Sequence, residues 1–274
     1  NTAYTYRMVY EKDGQTYTSK EISFTTETQT ALPNGKLEDW YQSGKTWYAD
    51  SQTNATSSSG SFWDSSNPGS AKYIGSNTSP ETSVVHTANG KSAKLESKWA
   101  VLKFAAASLY AGKFIELIGT KGAKLRFGQP FAERPIQLKG WAKYDGVKID
   151  RYNNPPEGTV AKGDPDLWSG YIALVDLGKE DGIYVDNTDM STFPDYNTDD
   201  RVIAYGALPD SECGNSDWKQ FNIDLVYRSL TRKPTHIIIV FSSSKYGDYF
   251  TGGAGSSLYL DDLELVYGDS PQTK

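Results

Sequence analysis

The chain has 274 residues and a formal net charge of -6, and its Lys and Arg are scattered without a cluster, which argues against nucleic acid or an anionic membrane as partner. Aromatic residues make up 13 %, with 19 Tyr and 7 Trp, a mix that suits sheets better than helix bundles and also supplies flat faces for sugar rings. The lone cysteine, Cys213, excludes a disulfide framework, and the wide sequence separation of His86 and His236 argues against a zinc site. No apolar run is long enough to span a bilayer.

In chain order, residues 2–10 alternate like a strand, Asp13-Gly14 is a hairpin turn signal, and residues 15–26 alternate again. A lone hairpin is marginal in water. Residues 1–27 therefore read as the terminal hairpin of an incomplete Ig-like or fibronectin III-like domain, or as a hairpin that docks on the main domain. The start at Asn1 carries no signal peptide and reads as processed or trimmed. A polar linker, 28–33, leads to the main domain, 34–269, and a short tail, 270–274.

From Asn34 onward, strand-like runs are separated by Gly, Pro, Asn, Asp and Ser. The clearest strands are 93–99, 136–144, 171–177, 202–208, 219–227, 235–242 and 257–267. Residues 219–227 alternate, with Phe221, Ile223, Leu225 and Tyr227 on one face. The β-branched run Thr235–Phe241 predicts a central strand covered on both faces. Helix is scarce: Ala105–Gly112 reads as a turn or two, and Asn215–Trp218 as a short helical turn. The fold class is all-β, a jelly-roll β-sandwich of two antiparallel sheets.

Two loops are long. Residues 50–70 are rich in Ser, Asn and Gly yet carry Phe62-Trp63-Asp64, and residues 149–168 carry Asn153-Asn154, Pro155, Pro156 and Pro165. Long loops on a rigid sandwich tend to bear function. Trp47, Tyr48, Trp63 and Trp168 are candidate stacking faces for a saccharide, with Asp64, Asn67 and Asp248 as partners for its hydroxyls. The competing reading is that Trp47 and Trp63 pin loops to the sandwich. Trp40, Trp99, Trp141 and Trp218 read as core.

The opening segment Asn34–Trp40 and the closing segment Leu258–Tyr267 both read as strands with acidic residues at special points. Paired side by side, they bring Glu38 to Asp261 or Asp262, and two carboxylates that meet need a cation, a proton or a positive side chain. Hard oxygen ligands suit Ca²⁺. Adjacent strand residues face opposite sides, so only one aspartate points at such a site, and Asp262 is favoured. A structural Ca²⁺ held by Glu38 and Asp262 is the expectation, against the alternative that these residues cap strand ends.

Catalytic signals are weak. Glycoside hydrolysis needs two carboxyl groups about 5–5.5 Å apart for retention or about 6.5–9.5 Å for inversion. Asp64, Asp145, Asp176, Asp186 and Asp248 show no spacing that singles out a pair. No Gly-x-Ser-x-Gly elbow is present. The glycine-rich stretch 247–255 lacks the Lys-Ser/Thr and the helix of a phosphate loop.

An ordered series of motifs runs from Glu38-Asp39-Trp40 through Gly44-Lys45-Thr46-Trp47-Tyr48 and Phe62-Trp63-Asp64-Ser65-Ser66-Asn67. It continues with Arg134–Tyr144, Trp218-Lys219-Gln220-Phe221 and Ser242–Gly253, and ends at Leu260-Asp261-Asp262. In that order they resemble the putative carbohydrate metabolism domain family of Bacteroidetes surface lipoproteins, over about 33–268. The resemblance implies a layout like that of jelly-roll carbohydrate-binding modules, where a structural Ca²⁺ often joins the first and last strands. An Ig-like domain often precedes the family's domain. The function it implies is a non-catalytic glycan-binding module, binding an oligo- or polysaccharide as a monomer. It would belong to an exported, lipid-anchored protein of the cell surface, outer membrane or periplasm that serves carbohydrate acquisition. The alternatives are a glycoside hydrolase or lyase using paired Asp/Glu, and a structural or adhesion module.

Overall fold

The computed structural model describes residues 2–58, 60–100, 103–268 and 270–273. The chain divides into two units, 1–30 and 31–274. The first is one long hairpin. Its strands β1 (Ala3–Tyr6) and β4 (Ile22–Thr25) pair with each other, as do β2 (Val9–Lys12) and β3 (Gln15–Thr18). Asp13 and Gly14 both adopt positive φ, 50° and 75°, which gives the turn the twist that the flanking strands need. Its side chains from Thr2 to Thr26 are exposed, and Tyr4 stacks on Phe24 at 5.4 Å.

The second unit carries β5 (Tyr41–Ser43), β6 (Thr46–Tyr48), β7 (Trp63–Asp64), β8 (Thr78–Glu81), β9 (Ser92–Glu96), β10 (Lys98–Ala100), β11 (Lys103–Ala105), β12 (Ser108–Ile118), β13 (Gly122–Phe127) and β14 (Gln129–Pro130). There follow β15 (Gln137–Asp145), β16 (Ser169–Val175), β17 (Ile183–Asp186), β18 (Val202–Ala207), β19 (Lys219–Asp224), β20 (Val226–Tyr227), β21 (His236–Ser242), β22 (Ser257–Val266) and β23 (Gln272–Thr273). Two single helical turns, α1 (Gln52–Ala55) and α2 (Asn67–Ser70), lie in the first long loop. The larger sheet runs β17-β13-β12-β21-β16-β18-β20-β23, with β14 beside β21 and β7 beside β12. The smaller runs β19-β15-β22-β9-β8. All pairs are antiparallel except β20–β23. The second unit is thus the expected all-β sandwich of two sheets.

The core between the sheets takes Leu138, Phe221, Leu258 and Leu260 from the smaller sheet and Leu109, Ile172, Ile239 and Phe241 from the larger. Alternation sends every second residue of the larger sheet the other way. Tyr110, Phe127, Ala173, Ile238 and Val240 therefore form a separate apolar cluster on its outer face. As its sequence predicts, β21 sits mid-sheet between β12 and β16 and is buried on both faces.

Several elements depart from their sequence reading. Ala105–Gly112 is not helical; it spans the end of β11 and the start of β12. The alanines are there because Ala107 and Ala111 lie in the crowded core between sheets, and a Cβ at Gly112 would run into the backbone of Arg126, so packing overrides helix propensity. Asn215–Trp218 forms bends. Residues 219–227 do not make one strand: the alternation persists, but at Leu225 the chain leaves the smaller sheet as β19 and enters the larger as β20. Asn34–Leu37 is a turn with positive φ at both ends, 45° and 54°, and not a strand. It nevertheless lies beside the closing strand, where Leu263 N donates to Gly35 O at 2.7 Å. Leu32, in the stretch read as linker, is buried in the core, and Gln272–Thr273, in the stretch read as tail, form β23.

Candidate functional site

The outer face of the larger sheet holds a cavity of about 220 Å³. Its floor follows from strand alternation: Tyr110 and Phe114 point out from β12, Leu125 and Phe127 from β13, and Val240 from β21. The turn α2 leans against this floor, and only because residue 69 is Gly: a Cβ there would sit 2.8 Å from Leu117 and 3.1 Å from Phe114. Lys103 on β11 and the short 3₁₀ turn Gly247–Tyr249 form the opposite wall.

Most polar groups on the wall are already engaged. Ser66 and Ser108 hydroxyls bond each other at 3.0 Å, and Ser242 Oγ donates to Ser244 O at 2.9 Å. Asn187 Oδ1 accepts from Ala123 N at 2.8 Å, and Tyr110 OH turns away to donate to Ser65 O at 3.2 Å. The Lys103 ammonium lies 4.0 Å over the Phe250 ring and donates to Lys121 O; burial and the neighbouring Lys121 pull its pKa down. Phe250 holds φ +52°, an uncommon conformation for an aromatic residue. Asp248 stands at the mouth. The residue is exposed, and the walls on its inner side raise its carboxyl pKa. Beyond it lie Tyr171, Tyr196 and Tyr205; Asp248 is close enough to raise the Tyr171 hydroxyl, and Tyr196 stacks on Tyr205 at 5.4 Å.

The smaller sheet carries a second cluster on its outer face. The His86 ring stacks on Trp141 at 3.9 Å and meets Trp218 edge-on at 5.9 Å. His86 Nδ1 lies 2.9 Å from Asp262 Oδ2, which also accepts from Thr87 Oγ1 at 2.8 Å. Asp261, with no exposed surface, accepts from His86 N at 3.1 Å, Thr87 N at 3.3 Å and Asp262 N at 2.8 Å. Burial raises the Asp261 pKa and the Asp262 charge adds to this, while the backbone N–H groups oppose both.

The sequence profile of the family described as "Putative carbohydrate metabolism domain" matches residues 36–266, well over half of the chain. The chain belongs to this family. A putative glycoside hydrolase from Bacteroides thetaiotaomicron is similar at 21% identity and a TM-score of 0.63, covering 91% of this chain and 76% of that one. A second, from Bacteroides vulgatus, is similar at 22% identity and a TM-score of 0.58, covering 89% of this chain and 96% of that one. At these identities the likeness is one of fold. No curated protein matches the chain.

In this carbohydrate metabolism domain the residues singled out from sequence scatter. Trp63 and Trp168 are each 1% exposed. Trp63 Nε1 donates to Pro33 O at 2.8 Å, and Trp168 packs edge-on to Phe221 at 5.7 Å. An indole sealed between sheets has no face to offer a saccharide, so both leave the candidate set. Asn67 is fully buried and spends its amide on four backbone partners: it donates to Trp47 O and Thr78 O and accepts from Asn77 N and Thr78 N. It latches loops together. Trp47 and Tyr48 are half-buried on β6, where Tyr48 stacks on Tyr41 at 6.2 Å. The Asp64 carboxylate accepts from Phe114 N at 2.8 Å and Ser65 N at 2.7 Å, and burial lifts it to about 6. Of the seven candidates only Asp248 lines the cavity.

Glu38 and Asp262 each have other protein partners. Lys91 holds Glu38 through its backbone N, 3.0 Å from each carboxylate oxygen, and through Nζ on Glu38 O at 2.6 Å. Asp262 instead joins His86 and Asp261, whose ligand atoms lie within 4.8 Å of one another. Both aspartates reach the same place because β22 bulges. Trp141 pairs with Asp261 but Lys139 pairs with Glu264, and Asp262 takes φ +50° in the extra position. One imidazole nitrogen and two carboxylates are a donor set that could hold a metal ion, with one nitrogen where Ca²⁺ prefers oxygen. Sequence reasoning missed the bulge, although the apolar spacing Leu258, Leu260, Leu263, Leu265 breaks the two-residue period at that point. It also missed Tyr110, whose position depends on reading 105–112 as strand, and Lys103 and Phe250, which lie on β11 and after the 3₁₀ turn.

Proposed function

We propose that this domain is a non-catalytic glycan-binding module whose site is the ring-lined cavity on the outer face of the larger sheet. It would serve carbohydrate acquisition in an exported, lipid-anchored protein at the cell surface or in the periplasm. The observation that carries the reading is a small cavity with aromatic walls, an unpaired carboxylate at its mouth and a tyrosine-bearing surface leading away. Concave, mostly apolar pockets with few polar groups are the usual form of a small-molecule site. Rings accept the C–H faces of a sugar, and Asp248 accepts from its donors.

Support for the non-catalytic reading comes from the carboxyl groups. Hydrolysis needs a facing pair, and Asp248 is the sole carboxyl among the described residues that line the cavity. Calorimetric titration with an oligosaccharide panel tests binding, and an assay for released reducing ends tests turnover. Saturable binding weakened at least tenfold by Phe250→Ala, with no new reducing ends, is expected. Steady release of reducing ends, lost in Asp248→Asn, would transfer the domain to the hydrolases.

A further inference from the structure

The chemistry of the cavity restricts which sugar fits, and this step rests on the glycan-binding reading. At about 220 Å³ the cavity is smaller than the roughly 300–1,000 Å³ of ordinary ligand pockets, so what it encloses is one substituent or one ring. Its floor offers carbon, with Phe114 and Leu117 partly exposed to the space and Tyr110, Leu125, Phe127 and Val240 packed closely behind that surface. The Tyr110 hydroxyl is committed to Ser65 O, and the wall groups of Ser66, Ser108, Ser242 and Asn187 Oδ1 are engaged within the protein. A plain hexose pressed onto the carbon floor would leave the hydroxyls on that side without a partner, at about 1–3 kcal/mol each, while Thr120 and the Asn187 amide offer bonds only at the wall. A sugar bearing an apolar substituent avoids that cost. At the mouth Asp248 has no hydrogen-bond or ion-pair partner among the described residues, so a bound donor would meet a free carboxylate. Lys103, across the wall, is occupied by Phe250 and Lys121 O.

An acetamido group matches both ends of this arrangement, since it carries a methyl group next to an amide N–H. We propose that the cavity selects 2-acetamido sugars, with the acetyl methyl against the ring-lined floor and the amide N–H donated to Asp248.

Calorimetric titration of the full chain with N-acetylglucosamine and N-acetylgalactosamine, against glucose and galactose, tests this directly. At least tenfold tighter binding of the acetamido sugars is expected. Ala123→Leu, which fills the cavity from β13, is expected to cost at least tenfold. Asp248→Ala, at the exposed rim where folding is not at stake, is expected to cost acetamido binding severalfold and to cost any hexose binding less, so that the preference for acetamido sugars narrows. Equal affinity for the two sugar classes overturns the selectivity and leaves the glycan-binding module standing, as does acetamido binding indifferent to both substitutions. Absence of binding by monosaccharides and by every oligosaccharide of the panel overturns both.

Discussion

The two outer faces of the sandwich hold the same kinds of groups and use them in opposite ways. On the smaller sheet, His86, Trp141, Trp218, Asp261 and Asp262 close on one another, with ring on ring and each carboxylate supplied with donors. On the larger sheet, Phe114 and Phe250 border empty volume, and Asp248 has no hydrogen bond or ion pair among the described residues. The first arrangement spends its interaction energy on the fold and fastens the 82–91 loop to the bulge in β22. The second keeps surface available for a ligand. Aromatic residues beside acids are therefore not enough to mark a binding site; unfilled space and an unpaired polar group separate the two cases.

Tryptophan truncation gives the largest expected effect. Trp63→Ala and Trp168→Ala should each cost about 3–5 kcal/mol, because both indoles are sealed between the sheets. Trp141→Ala should cost only about 1 kcal/mol, the worth of a surface ring pair. Urea unfolding curves measure both, and equal losses would erase the distinction between core and face. The carboxylates come next. Asp261→Ala removes the acceptor of the part-buried N–H groups of His86, Thr87 and Asp262, with an expected loss of about 1–2 kcal/mol. Asp248→Ala, with no bond to lose, should stay within about 0.5 kcal/mol of the parent.

A comparable effect is expected from pH. The Asp64 carboxyl rises from 3.8 to about 6 through burial, against the pull of the Phe114 and Ser65 N–H groups and Lys113. Between about pH 4 and 6 the folded chain keeps a proton that the unfolded chain has released. The Asp64 contribution thus favours folding at low pH and declines as pH climbs through 6. Asp64→Asn, which cannot ionise, should flatten the pH dependence of stability across that window by on the order of 2 kcal/mol. An unchanged slope would mean that the group titrates normally. The smallest effect is expected from calcium. With Asp261 and Asp262 already supplied with donors, millimolar Ca²⁺ should leave the thermal midpoint in place. A saturable rise, about 2.7 kcal/mol at a hundredfold excess over the dissociation constant, would support the calcium site expected from Glu38 and Asp262.

The sequence by itself determined the sheet content, the sandwich and the central place of β21, because period-two alternation and a β-branched run are local signals that burial reads directly. It also determined the family, through the order of its motifs between residues 36 and 266. Tertiary structure alone decided which tryptophans face inward. A tryptophan's side of a strand depends on register and on which sheet its strand joins, and neither is written in the residue itself. It likewise decided that Asp261 and Asp262 converge, since one extra residue in β22 reverses the alternation from that point on. The cavity was the least legible feature. It exists only where α2, the β12–β13 hairpin, Lys103 and the turn at Asp248 come together, from positions spread over about 180 residues of chain, and no local pattern encodes a space that distant segments leave unfilled.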